Sequence, residues 1–120
     1  MKLRHFIIVL ILLALRPAAA ERLLIPMDQS QADHLKAYGV AFWSLERQVP
    51  VEWLLNYRGG AFLLDSHDLI AREAQIRGVS FTRISEAEAA SIYAEVDANN
   101  MDVVQLEKAP KIAVYTPPTS

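Results

Sequence analysis

The side chains of this chain that could do chemistry gather in two short stretches. Arg58-Gly59-Gly60 lies between the apolar runs Val51 to Leu55 and Ala61 to Leu64, and Pro26-Met27-Asp28 closes a third run, Leu23 to Ile25. A glycine pair between strand-like runs has two readings. The commoner is a hairpin turn, whose backbone needs φ > 0. The other is an anion nest, in which successive N–H groups point at a carboxylate or phosphate and Arg58 adds a charge-assisted contact. Arg58, Gly59 and Gly60 lack the Lys-Ser/Thr of a phosphate-binding loop and the spacing of a dinucleotide fingerprint. Asp28 is either the cap of a following helix or a ligand contact at the carboxyl end of a strand.

Other chemistry finds little support. His34 and His67 each stand alone, with no second histidine three or four positions away to share a metal. No Gly-x-Ser-x-Gly elbow surrounds a serine. The chain has no cysteine, which excludes a thiol nucleophile and a thiolate-ligated metal within these residues. Neither a catalytic constellation, a metal site nor a cofactor is expected in residues 21–120. Glu86, Glu88 and Glu95 read as a solvated helix face, and Trp53, in phase with Val51 and Leu55, faces a core.

The elements that must position these residues follow from periodicity. Met1 to His5 is a basic start, Phe6 to Leu15 an unbroken apolar run, and Ala18-Ala19-Ala20 a small-residue site. This is the layout of a secretory signal peptide, residues 1–20, too short to span a bilayer. The expected location is therefore periplasmic or extracellular, with no membrane contact after cleavage. The segment carries Lys2, Arg4 and Arg16 and no acid, so of 12 Lys and Arg against 14 Asp and Glu, nine remain against fourteen, a net charge of −5. A mildly acidic domain without a basic run is a poor nucleic-acid binder.

Leu23 to Met27 reads as a strand. Apolar positions at Leu35, Tyr38, Phe42 and Leu45 mark a helix from Gln31, capped by Asp28 or Ser30. Val51 to Tyr57 and Ala61 to Asp65 read as strands around the Arg58–Gly60 turn. A helix over 67–77 follows Ser66 as cap and stops at Gly78. Val79 to Ile84 is a strand, and Ser85 with Glu88 forms a capping box that opens a helix to about Val96. Lys111 to Tyr115 reads as a last strand. Alternating strands and helices predict an α/β fold with three layers and a mostly parallel, twisted sheet. The domain is expected over residues 21–108. Residues 109–120 look like the first strand of a further unit, so that the chain reads as a fragment of a larger protein.

Several blocks resemble one family. Leu24-Ile25-Pro26-Met27-Asp28, His34 to Gly39, Trp53 to Gly60 and Met101 to Tyr115 are similar to a group of exported bacterial proteins commonly labelled asparagine synthetase B. The resemblance implies a longer chain and a further domain, and it places no catalytic residue on these 120 positions. Two functions are open. The first is an N-terminal ligand-binding or scaffolding domain of an exported multidomain protein, with a small anion as its possible ligand. The second is part of an amidotransferase-like enzyme whose catalytic residues lie beyond Ser120. Cleavage is expected after Ala20; an intact-mass measurement of the exported protein should give Glu21 as its first residue, and retention of Met1 would overturn the assignment.

Overall fold

The structure is a computed structural model and describes residues 21–107. The leader 1–20 and the expected strand Lys111 to Tyr115, with its unit 109–120, lie outside the described residues. Five strands form one sheet: β1 (Glu21–Ile25), β2 (Val51–Leu54), β3 (Ala61–Asp65), β4 (Thr82–Ser85) and β5 (Val103–Leu106). Three helices join them: α1 (His34–Glu46), α2 (Asp68–Ile76) and α3 (Glu86–Ala98). The strand order is β4-β1-β3-β2-β5. Every neighbouring pair is antiparallel. The mostly parallel sheet expected from the sequence is therefore replaced by an antiparallel one.

The physical reason lies in the crossovers. Each helix does connect two strands that run the same way, but those strands are not neighbours. β3 lies between β1 and β2, β1 lies between β3 and β4, and β1, β3 and β2 lie between β4 and β5. The first four strands and two helices thus have the split, ferredoxin-like βαββαβ arrangement, with α3 and β5 added. Composition misleads in the same direction. Continuous apolar runs are the mark of strands buried on both faces, which is usual in parallel sheets. Here helices cover both faces of an antiparallel sheet. Leu23, Ile25, Val51, Phe62 and Leu64 pack against α1 and α2. Leu24, Leu54, Leu63 and Ile84 pack against Ala89, Ile92 and Val96 of α3.

Local corrections have local causes. α1 begins at His34, and its cap is Asp33, whose Oδ1 accepts from Lys36 N at 3.0 Å. Asp28 instead closes a turn, with Gln31 N donating to Asp28 O at 3.1 Å. The buried face of α1 is Ala37, Val40, Ala41, Ser44 and Leu45. Leu35 and Tyr38, expected inside, are 81% and 48% exposed. Small side chains let α1 approach its neighbours closely, and a Cβ on Gly39 would stand 3.0 Å from Arg77 Nη1. α2 is capped by His67 without a side-chain bond, because Ser66 Oγ accepts from Arg83 Nη1 instead. The capping box is present as read: Ser85 Oγ accepts from Glu88 N, and Ser85 N donates to Glu88 Oε1. Strand β5 had no counterpart in the sequence reading. Trp53 is half-buried, stacked on Phe62, with Nε1 donating to Gly60 O at 3.0 Å.

Leu63 is fully buried beneath α3. Leu63→Ala should cost about 2–5 kcal/mol in denaturant unfolding, whereas Leu35→Ala should stay within about 0.5 kcal/mol. The reverse ranking would show that the buried face of α1 is the apolar stripe after all.

Candidate functional site

The two stretches singled out in the sequence meet. The β2–β3 connection, residues 55–60, folds back on the β1–α1 connection through Met27 N donating to Arg58 O at 2.9 Å. Arg58 Nε then donates to Asp28 Oδ2 at 2.9 Å, and Arg58 Nη2 to Ser30 Oγ at 2.8 Å. Asp28 Oδ1 accepts from both the N–H and the hydroxyl of Ser30, and His34 Nε2 is hydrogen-bonded to Asp28 O at 2.8 Å. The result is a clasp between two loops. Arg58 first, and Ser30 second, hold the Asp28 carboxyl down at about 2.

The backbone of the clasp explains its glycines. Asn56, Arg58, Gly59 and Gly60 all have positive φ, at 65°, 46°, 79° and 92°. A Cβ on Gly59 would stand 2.4 Å from Met27 O, and one on Gly60 3.0 Å from Trp53 Nε1. Gly60 N and Ala61 N, donors that a nest would turn toward an anion, both donate to Tyr57 O at 2.9 Å. Gly59 and Gly60 therefore seat one loop against another, and Asp28 stands where an anion beside Arg58 would stand.

A second group of polar residues, which sequence reasoning passed over, lies on the α3 face at the other end of the sheet. α3 starts beside the β4 edge and ends with Val96 packed near Leu54 and Val103 at the opposite edge. It crosses the strands diagonally and leaves two corners of the face uncovered. One corner is a recess of about 390 Å³ bordered by Leu24, Tyr57, Arg58, Thr82, Glu88 and Glu95. Burial, followed by Glu95, raises the Tyr57 hydroxyl above its ordinary value.

The other recess, about 300 Å³, is lined mainly by polar groups: Arg22, Glu52, Asp65, Tyr93 and Gln105, over Leu63. Pairing in register explains why these side chains meet. Arg22 sits opposite Asp65, and Glu52 sits between Leu63 and Gln105. Glu52 Oε1 accepts from Arg22 Nη1 at 3.0 Å and from the Tyr93 hydroxyl, and Glu52 Oε2 accepts from Gln105 Nε2 at 3.0 Å. Arg22 also donates through Nε to Glu86 at 3.0 Å and through Nη1 to Tyr93 Oη at 3.1 Å. Glu86, expected in a solvated face, is thus an anchor of this network. Burial works against the Arg22 charge, but the Glu86 bond and the surrounding acidic groups outweigh it and raise its pKa. Burial and the bond to Glu52 push the Tyr93 hydroxyl up to about 12, so it remains a donor at neutral pH.

The signal for this site was in the strand phase. Arg22 alternates with Leu24, and Glu52 with Leu54. Each is a charge on a strand face that is otherwise apolar. No group of three or more His, Cys, Asp or Glu among the described residues is placed to hold a metal ion. None of the described helices is long and apolar enough to cross a membrane. No protein-family model, curated protein or solved structure matches the chain.

Two variants test the clasp. Gly59→Ala should destabilise by more than about 1 kcal/mol, because its methyl group meets the Met27 carbonyl. The Asp28 carboxyl titrates lower in the folded chain than its ordinary 3.8. Its contribution is therefore present above about pH 4 and is lost as the pH falls toward about 2. In Arg58→Ala the fall in Tm between those values should be shallower than in the wild type. Parallel acid-side curves would show that the ion pair contributes nothing.

Proposed function

We propose that residues 21–107 form a ligand-binding module of an exported bacterial multidomain protein, and that the recess beside Glu52 holds the ligand. The observation that carries this reading is the fixed polar floor of that recess. Arg22, Tyr93 and Gln105 converge on one carboxylate, so the groups are oriented before anything binds. A concave site with a few well-placed polar groups over an apolar base is the usual form of a small-molecule pocket. Stability alone is a weak reason to keep such a network. Replacing a partly desolvated ion pair with packed apolar side chains is often neutral or stabilising. Export is supported by the leader-like pattern of residues 1–20, and the multidomain context by the family resemblance. Under the amidotransferase-like alternative, chemistry lies beyond Ser120 and this module has the same role, capturing a small molecule for a neighbouring domain.

The experiment is a thermal-shift screen of the mature chain against small polar compounds of each charge, at constant ionic strength. A true ligand at ten times its Kd should stabilise by about 1.4 kcal/mol, which is easily seen as a rise in Tm for a domain of this size. The rise should shrink in Tyr93→Phe and persist in Arg58→Ala. A screen with no concentration-dependent rise would overturn the ligand-binding reading and leave the scaffolding one.

A further inference from the structure

The composition of the recess points to its ligand class, an inference that rests on the ligand-binding reading above. From the geometry we infer that the recess takes a small aliphatic ammonium ion. Its lining carries one cation, Arg22, and two carboxylates, Glu52 and Asp65. Three of the five N–H groups of that cation are committed. Nε of Arg22 donates to Glu86, and Nη1 donates to Glu52 and Tyr93. The Tyr93 hydroxyl donates to Glu52 as well. The charge of Arg22 is thus paired with Glu52 and Glu86, and the donors left toward the recess are its Nη2 group and the second N–H of Gln105.

The Asp65 side chain is 72% exposed, and its only ionic contact among the described residues is the longer one to Arg22 Nε, at 3.6 Å. Among the described residues Glu52 Oε2 has one donor, Gln105 Nε2. A carboxylate oxygen has room for a second. An amide that donates through its nitrogen leaves its carbonyl oxygen to accept. Three acceptor positions, with net negative charge, thus border a volume of about 300 Å³. An ammonium group supplies three donors and one positive charge. Pro50 and Leu63 line the same recess and would lie against a short methylene chain. A carboxylate or phosphate would meet the like charges of Glu52 and Asp65 there, against one cation that is already paired with acidic groups.

The test compares three compounds with the same four-carbon chain: putrescine, 1,4-butanediol and succinate. Each is titrated into the isotope-labelled mature chain while the Gln105 side-chain amide and the Asp65 and Tyr93 backbone amides are followed by NMR. Putrescine alone should give saturable shifts at these positions. Its Kd should weaken at least about fivefold in Asp65→Asn, and weaken again as salt rises from about 50 to about 500 mM. Asp65 is exposed, so the variant should keep the rest of the spectrum. Saturable binding of the diol or of succinate, unaffected by Asp65→Asn, would overturn the ammonium assignment while leaving the ligand-binding module in place. Absence of saturable shifts with all three would also overturn it, and only a blank thermal-shift screen as well would remove the module.

Discussion

A helix of 13 residues is about 20 Å long, and a five-stranded sheet is about 19 Å across between its outer strands. α3 must connect β4 at one edge to β5 at the other, so it lies across the strands rather than along them. A single rod laid diagonally over a rectangle covers the middle and leaves two opposite corners bare. Apolar side chains occupy the covered middle, where Leu24, Leu54, Leu63 and Ile84 meet Ala89, Ile92 and Val96. Polar side chains border both corners. One holds Arg22, Glu52, Tyr93 and Gln105, and the other is bordered by Arg58, Glu88 and Glu95. Both recesses of this face follow from one short crossover.

Two helices share the opposite face, and its recess, about 330 Å³, is lined by Arg47, Val49, His67, Leu69 and Ile70. There the close approach of α1 depends on Ala37, Ala41 and Gly39 rather than on large side chains. The loop ends of the sheet are tied by polar contacts instead. Arg58 holds Asp28 and Ser30, and Gln31 donates to the carbonyls of Pro26 and Ser80 while accepting from Ser80 N at 2.7 Å. The β1–α1 connection is thereby fixed to two other parts of the chain. Gly59 is part of the same fixation, since only a residue without a Cβ lets the β2–β3 loop reach the Met27 carbonyl.

How much of this was legible in the sequence can be judged element by element. The Ser85–Glu88 capping box and the Gly78 stop are local signals, and the structure shows both, with Gly78 at φ +71° after α2. The strand direction was not legible, because burial on both faces imitates a parallel sheet and a βα alternation does not say whether a strand is later inserted between the two it joins. The exposed face of α1 was misjudged because Leu35 and Tyr38 outweigh Ala37 and Ala41 in any reading by hydrophobicity. Asp28, Arg58, Gly59 and Gly60 were found by residue type, but their mutual pairing needed the antiparallel placement of β1 beside β3. Arg22 and Glu52 were open to discovery from phase alone. Gln105 was not, because β5 is only four residues long.

The ion pair of Arg22 with Glu52 is the part of the design that packing does not explain. Arg22 and Glu52 side chains are 22% and 15% exposed, so both have lost much of their water. Desolvation of that kind is recovered only when geometry and additional hydrogen bonds are good. Here the bonds are present: Glu52 has three donors and Arg22 reaches three residues. Yet an apolar pair at the same two positions would have extended the core already formed by Leu24 and Leu54, at no cost in desolvation. The network therefore does something that a larger core would not. It holds the carboxylate of Glu52 at the floor of an open recess, in one orientation, with Asp65 exposed at the rim. An oriented acceptor at the floor and an exposed one at the rim are the features on which the proposed ammonium site rests, and both would be lost if the corner were filled with leucine.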